Sequence, residues 1–166
     1  MKAENLKSIQ APLKQKYREE PESAVITLKA NGLLGNSISC KVETGKLIVE
    51  AGLHPATGGD GTLACSGDLL LEALVACAGV TLNAVATSMG LRIAGGKVTA
   101  EGDLDLKGTL GISKDTPVGF REIRLYFEVE SHESAESLEK LRELTERYCV
   151  VYQTIVSATR VKTYLE

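Results

Sequence analysis

The chain has 166 residues and a net charge of −3, and its charges of both signs are interspersed. This length suits one domain with a good core and is short for two. The charge pattern provides no basic field for nucleic acid and no polybasic patch for a membrane surface, so neither partner is expected.

The four cysteines, Cys40, Cys65, Cys77 and Cys149, bear on the redox compartment. The first residues after Met1 lack an apolar signal core, and we therefore expect a cytoplasmic protein. In that compartment cysteines are expected to be thiols, metal ligands or redox centres rather than a structural disulfide framework.

Residues 1–22 are predicted to form an N-terminal helical extension. Leu6, Ile9 and Leu13 recur there at helical spacing, and Pro12 interrupts the pattern, which predicts one or two short amphipathic turns. These turns could cover an edge or bind a second subunit. The remaining residues, 23–166, are predicted to form a single α+β domain.

Alternation of apolar and polar residues predicts strands after this extension. It covers residues 24–30 and 37–51, with turn signals at positions 31–32 and 44–45, and so predicts a strand meander. Cys40 is in phase with the apolar positions and is interpreted as a core residue. The loop that follows is rich in glycine but has no Gly-Lys-Ser/Thr ending, so a tight turn is favoured over a phosphate cradle.

Residues 66–89 form the longest run compatible with a helix. Apolar residues fall at nearly every angle around a 3.6-residue period, which is typical of a helix surrounded by protein. Ser66 is predicted to cap the start of the helix, and Gly90 is predicted to end it. Asp68 lies in the first turn, where a negative charge interacts favourably with the positive end of the helix dipole. Because one small sheet would cover only one side of this helix, we expect a homodimer.

Cys77 lies in the middle of this run. Its neighbours at helical spacing are small or aliphatic, and Thr81 is among them. A free cysteine in such a place is most often a small buried hydrophobe. A reactive role therefore requires a charged partner from elsewhere in the chain or from a second subunit.

The rest of the chain predicts two more strands and a second helix. Residues 97–106 and 122–130 alternate and are expected to pair antiparallel. A helix is predicted to start near Ser134 and to lead to Cys149, after which it either continues or breaks and restarts. A final strand is predicted at 160–165. The order of elements indicates an α+β domain with two cysteine-bearing helices packed on sheet.

Two segments of the chain resemble the OsmC/Ohr family, whose members are thiol peroxidases of organic hydroperoxides. Gly58-Gly59-Asp60-Gly61 and the run from Asp68 to Cys77 are similar to the family's glycine pair and first cysteine helix. Glu146-Arg-Tyr-Cys149-Val-Val resembles its Cys-Pro-Val segment. The resemblance covers about residue 37 to the C terminus. It implies antiparallel sheets with two long cysteine-bearing helices in an intertwined homodimer, with active sites at the subunit interface.

The chain departs from the family pattern at three places. Asp68 stands where many members have Glu, and Val150 replaces the proline after the second cysteine. Active members hold the reactive thiol as a thiolate with an arginine from the N-terminal region, and this chain has no arginine between positions 18 and 92. Arg18 is the nearest N-terminal candidate.

The resemblance implies a function and a set of site residues. Cys77 would be oxidised to a sulfenic acid by an alkyl or lipid hydroperoxide, and Cys149 would resolve it as a disulfide, with Asp68 and Arg18 completing the site. A small or lipoyl-type dithiol would return both thiols, and no cofactor or metal is implied. An aliphatic site favours organic substrates over hydrogen peroxide, because burial of an organic tail is favourable.

Three other interpretations remain open at this level. A non-catalytic OsmC-like module could bind a small apolar ligand without using paired thiols. A zinc site is disfavoured because the cysteine spacings of 25, 12 and 72 contain no close pair. The four thiols could also simply be packed in the interior.

Overall fold

The computed structural model describes residues 2–25, 27, 31–34, 39–43 and 48–165, with the backbone alone described at 21, 22, 31–34, 39–43 and 48. The helices of this described part are α1 Ala3–Glu19, α2 Ser66–Met89, α3 Leu106–Thr109, α4 Ala135–Tyr148 and α5 Val150–Val156. The strands are β1 Asn31–Leu34, β2 Ser39–Glu43, β3 Ile48–Gly52, β4 Ala64–Cys65, β5 Ile93–Asp103 and β6 Glu122–Ser131. Helix and antiparallel sheet occur together, so the α+β prediction is confirmed.

Strands β1 to β4 form one sheet in sequence order. The first three are antiparallel, whereas β4 runs parallel to β3, with Gly52 opposite Cys65. The predicted turn at 31–32 is wrong, because both residues pair with β2 inside the ladder. The predicted turn at 44–45 lies outside the described residues. In the predicted first strand, Ala24 belongs instead to a short 3-10 turn, and 26 and 28–30 lie outside the described residues.

Helix α1 corrects the prediction of short turns in the extension. It is one helix of 17 residues, and Pro12 lies inside it. Proline removes one helical hydrogen bond and strains the preceding turn, but Ala, Leu, Lys, Gln and Glu on both sides are strong helix formers. The surrounding propensity is therefore enough to continue the helix through this position.

Helix α2 has the bounds that the apolar run predicts. Its end is confirmed at Gly90, which has a left-handed φ of 73°, and the Leu91 N–H donates to the Ala86 carbonyl at 2.9 Å. Its start differs in one respect, since Ser66 is the first helical residue and follows β4 directly. Ser66 therefore does not occupy the capping position that was predicted for it.

Strands β5 and β6 form a second, two-stranded sheet. The Arg121 N–H donates to the Asp103 carbonyl at 2.8 Å, and Gly96, nearer the start of β5, lies against Glu128 and Val129 of β6. The strands are therefore antiparallel, as predicted. The segment between them contains the single-turn helix α3, whose start Asp105 caps by accepting the Lys107 N–H.

The C-terminal region breaks and restarts its helix at Cys149. Helix α4 starts next to Ser134, as predicted, and Ser134 caps it by accepting the Ser137 N–H at 3.1 Å. Cys149 has an extended backbone (φ −73°, ψ 109°) between α4 and α5. The predicted final strand at 160–165 is wrong, because these residues have no regular structure. Val161, Tyr164 and Leu165 are exposed, and an alternating pattern forms a strand only where a partner strand is available.

The chain divides into two compact units. One comprises Met1–Pro12, Ala73–Ala100 and Leu125–Glu166, and the other comprises Leu13–Glu72 and Glu101–Arg124. The first unit contains the main apolar cluster, where α2 and α4 pack together. Its buried members are Leu82, Val85, Ala86 and Leu141, surrounded by partly buried apolar residues that include Phe127 and Val129 of β6.

Candidate functional site: a pair of thiols on α2 and the α4–α5 junction

Cys77 and Cys149 are brought together within the first compact unit. Cys77 is half-buried in the middle of α2, and Cys149 is only 1% exposed where α4 gives way to α5. Both are free thiols, and each side chain is close enough to affect the pKa of the other. Two residues 72 positions apart in sequence therefore share one site.

The Cys149 sulfur accepts a hydrogen bond from the Tyr152 N–H at 3.5 Å. Cys149 is thereby the N-terminal cap of α5, and the break between α4 and α5 leaves the Tyr152 N–H without a helical partner. The polar groups that affect the pKa of Cys77 belong to Thr81, one helical turn after it, and to Cys149, Val150 and Val151 at the start of α5.

The two thiols differ in the direction of their pKa. Burial is the largest single effect on Cys77 and raises its pKa, but the Val151 N–H, the Cys149 side chain, the Val150 N–H and the Thr81 hydroxyl together lower it below the ordinary value. Burial is also the largest effect on Cys149, and with the neighbouring Cys77 it raises the Cys149 pKa despite the Tyr152 N–H.

This difference determines what each sulfur can do. The group that loses its proton first is Cys77, and a thiolate rather than a thiol is the nucleophile in cysteine chemistry. Cys149 stays protonated to higher pH, because its pKa is raised. The groups that lower the Cys77 pKa are backbone amides, a hydroxyl and a second thiol rather than a cation.

The other two candidate residues, Asp68 and Arg18, belong to the second compact unit. Asp68 is exposed in the first turn of α2, nine residues before Cys77, which is about 13 Å along a helix axis. Arg18 is exposed in the last turn of α1, in the second compact unit, and makes no ion pair with any described residue. Their roles in the site stay predictions.

Several groups at the site were not identified from the sequence. Thr81 was noted as a helical neighbour of Cys77, but its hydroxyl was not assigned a role. The N–H groups of Val150 and Val151 could not be assigned, because they act through the backbone. One signal was present: Val150 replaces a proline of the family segment, and proline is the residue that has no N–H.

The remaining cysteines and polar loops show no comparable arrangement. Cys40 is in β2 with its side chain outside the described set, and Cys65 is a half-buried free thiol at the end of β4. His54 precedes the short 3-10 turn Pro55–Thr57, and its Nδ1 accepts the Ala56 N–H at 3.0 Å. Within the described residues, no three His, Cys, Asp or Glu side chains converge as a metal site.

Two cavities lie in the first compact unit, and Cys77 lines neither. One of about 360 Å³ lies between α2 and the β5–β6 sheet, where Gly79, Asn83 and Gly96 line it. The other, of about 340 Å³, is between α4 and the same sheet, with Phe127, Leu138 and Arg142 in its wall. The chemistry of the thiol pair is therefore separate from both cavities.

Fold and site together define an α+β protein with two interacting thiols, one on a long apolar helix and one at a helix junction. The description "OsmC-like protein" belongs to the family whose model matches residues 59–164, which is more than half of the chain. The chain belongs to this OsmC-like family, as the sequence resemblance indicated.

Solved structures show the same fold at low sequence identity. An OsmC-like protein from Mycoplasma pneumoniae matches with a TM-score of 0.68 and 18% identity over 80% of this chain and 89% of that one. An organic hydroperoxide resistance protein from Elizabethkingia anophelis matches with a TM-score of 0.66 and 19% identity, over 81% and 91%. An OsmC-like protein of unknown function from Vibrio cholerae has a TM-score of 0.62 and 12% identity, over 80% and 96%. A comparison with curated proteins finds no significant match.

Family membership also helps to decide whether α2 is a membrane-spanning helix or a core helix. By length and composition alone, α2 is the one helix of the described chain that could cross a membrane. OsmC-like proteins are soluble, and Leu82, Val85 and Ala86 of α2 belong to the core cluster described above. We therefore interpret α2 as the core helix of a soluble protein.

Proposed function

We propose that this protein is a thiol-dependent peroxidase that reduces organic hydroperoxides, with Cys77 as the attacking thiol and Cys149 as the resolving thiol. The observation that carries the proposal is the pair of neighbouring free thiols, in which the Cys77 pKa is lowered and the Cys149 pKa is raised. A two-thiol peroxidase needs thiols of different pKa, because one sulfur must be ionised to attack the peroxide and the other must remain available to form the disulfide.

The proposed reaction has two steps on the enzyme. The Cys77 thiolate attacks the terminal oxygen of a hydroperoxide, the O–O bond breaks, and the alkoxide leaves and takes up a proton to become an alcohol. The product on the enzyme is a Cys77 sulfenic acid. The Cys149 sulfur then attacks the Cys77 sulfur, a disulfide forms, and the hydroxyl leaves with the Cys149 proton as water. A dithiol reductant, which we propose is of the lipoyl type, returns both thiols.

The surroundings of Cys77 support an organic substrate. Val80 follows Cys77 by three residues on α2 and is exposed, as is Val150 at the start of α5. Apolar side chains beside the thiol would gain from contact with an alkyl or lipid tail, whereas hydrogen peroxide has no such group. Relatives with the same fold from Elizabethkingia anophelis and Legionella pneumophila are named organic hydroperoxide resistance proteins.

We further propose a homodimer that acts in the cytoplasm. Supporting the dimer, α1 has no buried residue in the single chain, although Ile9, Leu13 and Tyr17 form an apolar stripe on it. Leu70 and Val80 of α2 are exposed as well. A second subunit would cover such surfaces, and Arg18 at the end of α1 would be the proposed cation for Cys77, with Asp68 orienting it. A monomer at micromolar concentration in sedimentation equilibrium would exclude this arrangement.

The test is a titration of thiols with cumene hydroperoxide. The reduced wild-type protein should lose two thiols per equivalent of peroxide and form a Cys77–Cys149 disulfide that mass spectrometry detects. Cys77→Ser should lose none, and multiple turnovers should require an added dithiol such as dihydrolipoamide. Wild-type protein that reacts no faster than free cysteine would reject the peroxidase proposal and favour a module that binds an apolar ligand.

A further inference from the structure

The Gln153 side chain joins α5 to α4 across the break at Cys149. Its Nε2 donates to the Glu146 carbonyl in the last turn of α4, at 2.9 Å. Its own backbone N–H donates to the Cys149 carbonyl, also at 2.9 Å. One residue in the middle of α5 therefore binds both the end of α4 and the residue that carries the second thiol.

The break in the helix explains why the Glu146 carbonyl needs a side-chain donor. In a continuous helix each carbonyl accepts the N–H of the fourth residue after it, so Glu146 would accept from Val150. Cys149 is extended instead, and the Tyr152 N–H donates to the Cys149 sulfur rather than to a carbonyl of α4. The last carbonyls of a helix have no partner within that helix. Gln153 supplies one of them with a donor from the next helix.

We propose that Gln153 is a positioning residue for the formation of the Cys77–Cys149 disulfide: it fixes the angle between α4 and α5 and thereby the direction of the Cys149 sulfur. The inference rests on the proposed function in taking Cys149 as the resolving thiol. In that step the Cys149 sulfur attacks the Cys77 sulfur, the S–S bond forms, the S–O bond of the sulfenic acid breaks, and water leaves with the Cys149 proton. Because disulfide geometry is specific, the rate of this step depends on where the Cys149 sulfur lies.

Two exposed residues of α5 make this bridge testable. Gln153 is exposed, so Gln153→Met removes the donor, keeps a long unbranched side chain and leaves the core intact. Gln153→Glu keeps the shape but replaces the donor with an acceptor. The next residue, Thr154, is exposed as well, and its hydroxyl donates to the Val150 carbonyl at 2.8 Å within α5. Thr154→Val removes a hydrogen bond that stays inside α5, so it is the matched control.

The experiment follows the reaction of the reduced protein with Ellman's reagent, in a parent protein where Cys40→Ser and Cys65→Ser remove the other two thiols. The Cys77 thiolate attacks the disulfide of the reagent and releases one thionitrobenzoate, which leaves a mixed disulfide on Cys77. The Cys149 sulfur then attacks the Cys77 sulfur, its proton passes to solvent, and a second thionitrobenzoate leaves. Absorbance therefore separates the attack by Cys77 from the formation of the Cys77–Cys149 disulfide.

The Gln153 bridge should affect only the second phase. Gln153→Met and Gln153→Glu should slow it by about two- to tenfold, the net effect of one ordinary hydrogen bond, and leave the first phase unchanged. Thr154→Val should match the parent protein in both phases. A general loss of structure would alter the first phase as well, so the difference between the phases identifies a positioning role.

Three results would overturn the inference: a second phase that is unchanged in both Gln153 variants, an equal change in Thr154→Val, or a parent protein that has no second phase. Ellman's reagent replaces the peroxide in this experiment. A protein that shows both phases but does not react with cumene hydroperoxide would therefore reject the peroxidase proposal and leave the role of Gln153 standing.

Discussion

Cys77 and Cys149 are close enough for each to affect the pKa of the other, although 72 residues separate them in sequence and they belong to different helical segments. The effect on the two thiols is unequal. The polar groups around Cys77 lower its pKa by more than burial raises it. On Cys149, which is almost fully buried, burial and the neighbouring Cys77 raise the pKa by more than the Tyr152 N–H lowers it. This difference supports the proposed roles of Cys77 as the attacking thiol and Cys149 as the resolving thiol.

Removal of the resolving thiol should separate the two chemical steps. Cys149→Ser is expected to consume about one equivalent of cumene hydroperoxide and then stop, because the Cys77 sulfenic acid has no thiol with which to condense. Dimedone labelling followed by mass spectrometry would detect that acid on Cys77. Cys40→Ser and Cys65→Ser serve as controls and should turn over like the wild type. Continued turnover by Cys149→Ser with a dithiol would show that Cys149 is not the resolving thiol.

The pH midpoint of alkylation should lie below that of free cysteine for Cys77 and above it for Cys149. Since the Cys77 pKa is lowered, its alkylation should remain fast at a pH where free cysteine is mostly protonated and should fall only as pH drops through its own lower pKa. The midpoint of Cys149 should lie above that of free cysteine. Peptide-resolved iodoacetamide kinetics measure both, and a Cys149 midpoint below that of Cys77 would contradict the proposed roles.

Replacement of the proposed cation tests whether a charge assists the thiolate. If Arg18 acts on Cys77, Arg18→Ala should slow the oxidation of Cys77 by cumene hydroperoxide and raise its alkylation midpoint, because the thiolate loses a favourable charge. Lys16→Ala removes a positive charge from the same last turn of α1 and is the matched control. Identical rates in Arg18→Ala and Lys16→Ala would remove Arg18 from the site.

The core between α2 and α4 should depend on Leu141. This side chain is 1% exposed and belongs to the main apolar cluster, so Leu141→Ala should lower the free energy of unfolding by about 2–5 kcal/mol through lost burial and a residual cavity. Ile112→Ala, at a side chain that is 71% exposed, should change it by less than about 0.5 kcal/mol. Urea unfolding followed by circular dichroism measures both, and equal losses would argue against this packing.

The loop before α2 should be sensitive at Gly59. A Cβ atom there would lie 1.8 Å from the Leu53 carbonyl oxygen, so backbone would have to move. Gly59→Ala should therefore destabilise the protein by about 1–3 kcal/mol, the usual range for forced overpacking. Gly119→Ala is the control, because a Cβ at Gly119 meets nothing within 4 Å. Thermal unfolding of the two variants measures the difference, and unchanged stability in Gly59→Ala would be inconsistent with the close approach.

Sequence signals with a local cause predicted the corresponding elements well. The bounds of α2 follow from its apolar run and from Gly90, and the start of α4 follows from Ser134 as a cap. These signals act through backbone hydrogen bonds and dihedral preferences within a few residues. Two mistakes lie where strand pairing decides the structure. Asn31 and Gly32 resemble a turn but pair with β2, and residues 160–165 alternate like a strand but have none.

In the candidate site, too, the local features could be predicted from the sequence and the contacts between distant segments could not. The sequence by itself determined that Cys77 lies in the middle of an apolar helix and that Cys149 ends a second one, and only the family resemblance linked them. Tertiary structure decided that the two thiols are neighbours and which of them has the lowered pKa. The physical reason is that hydrogen bonds to a sulfur depend on where another segment's backbone lies, and no spacing along one chain segment encodes that position.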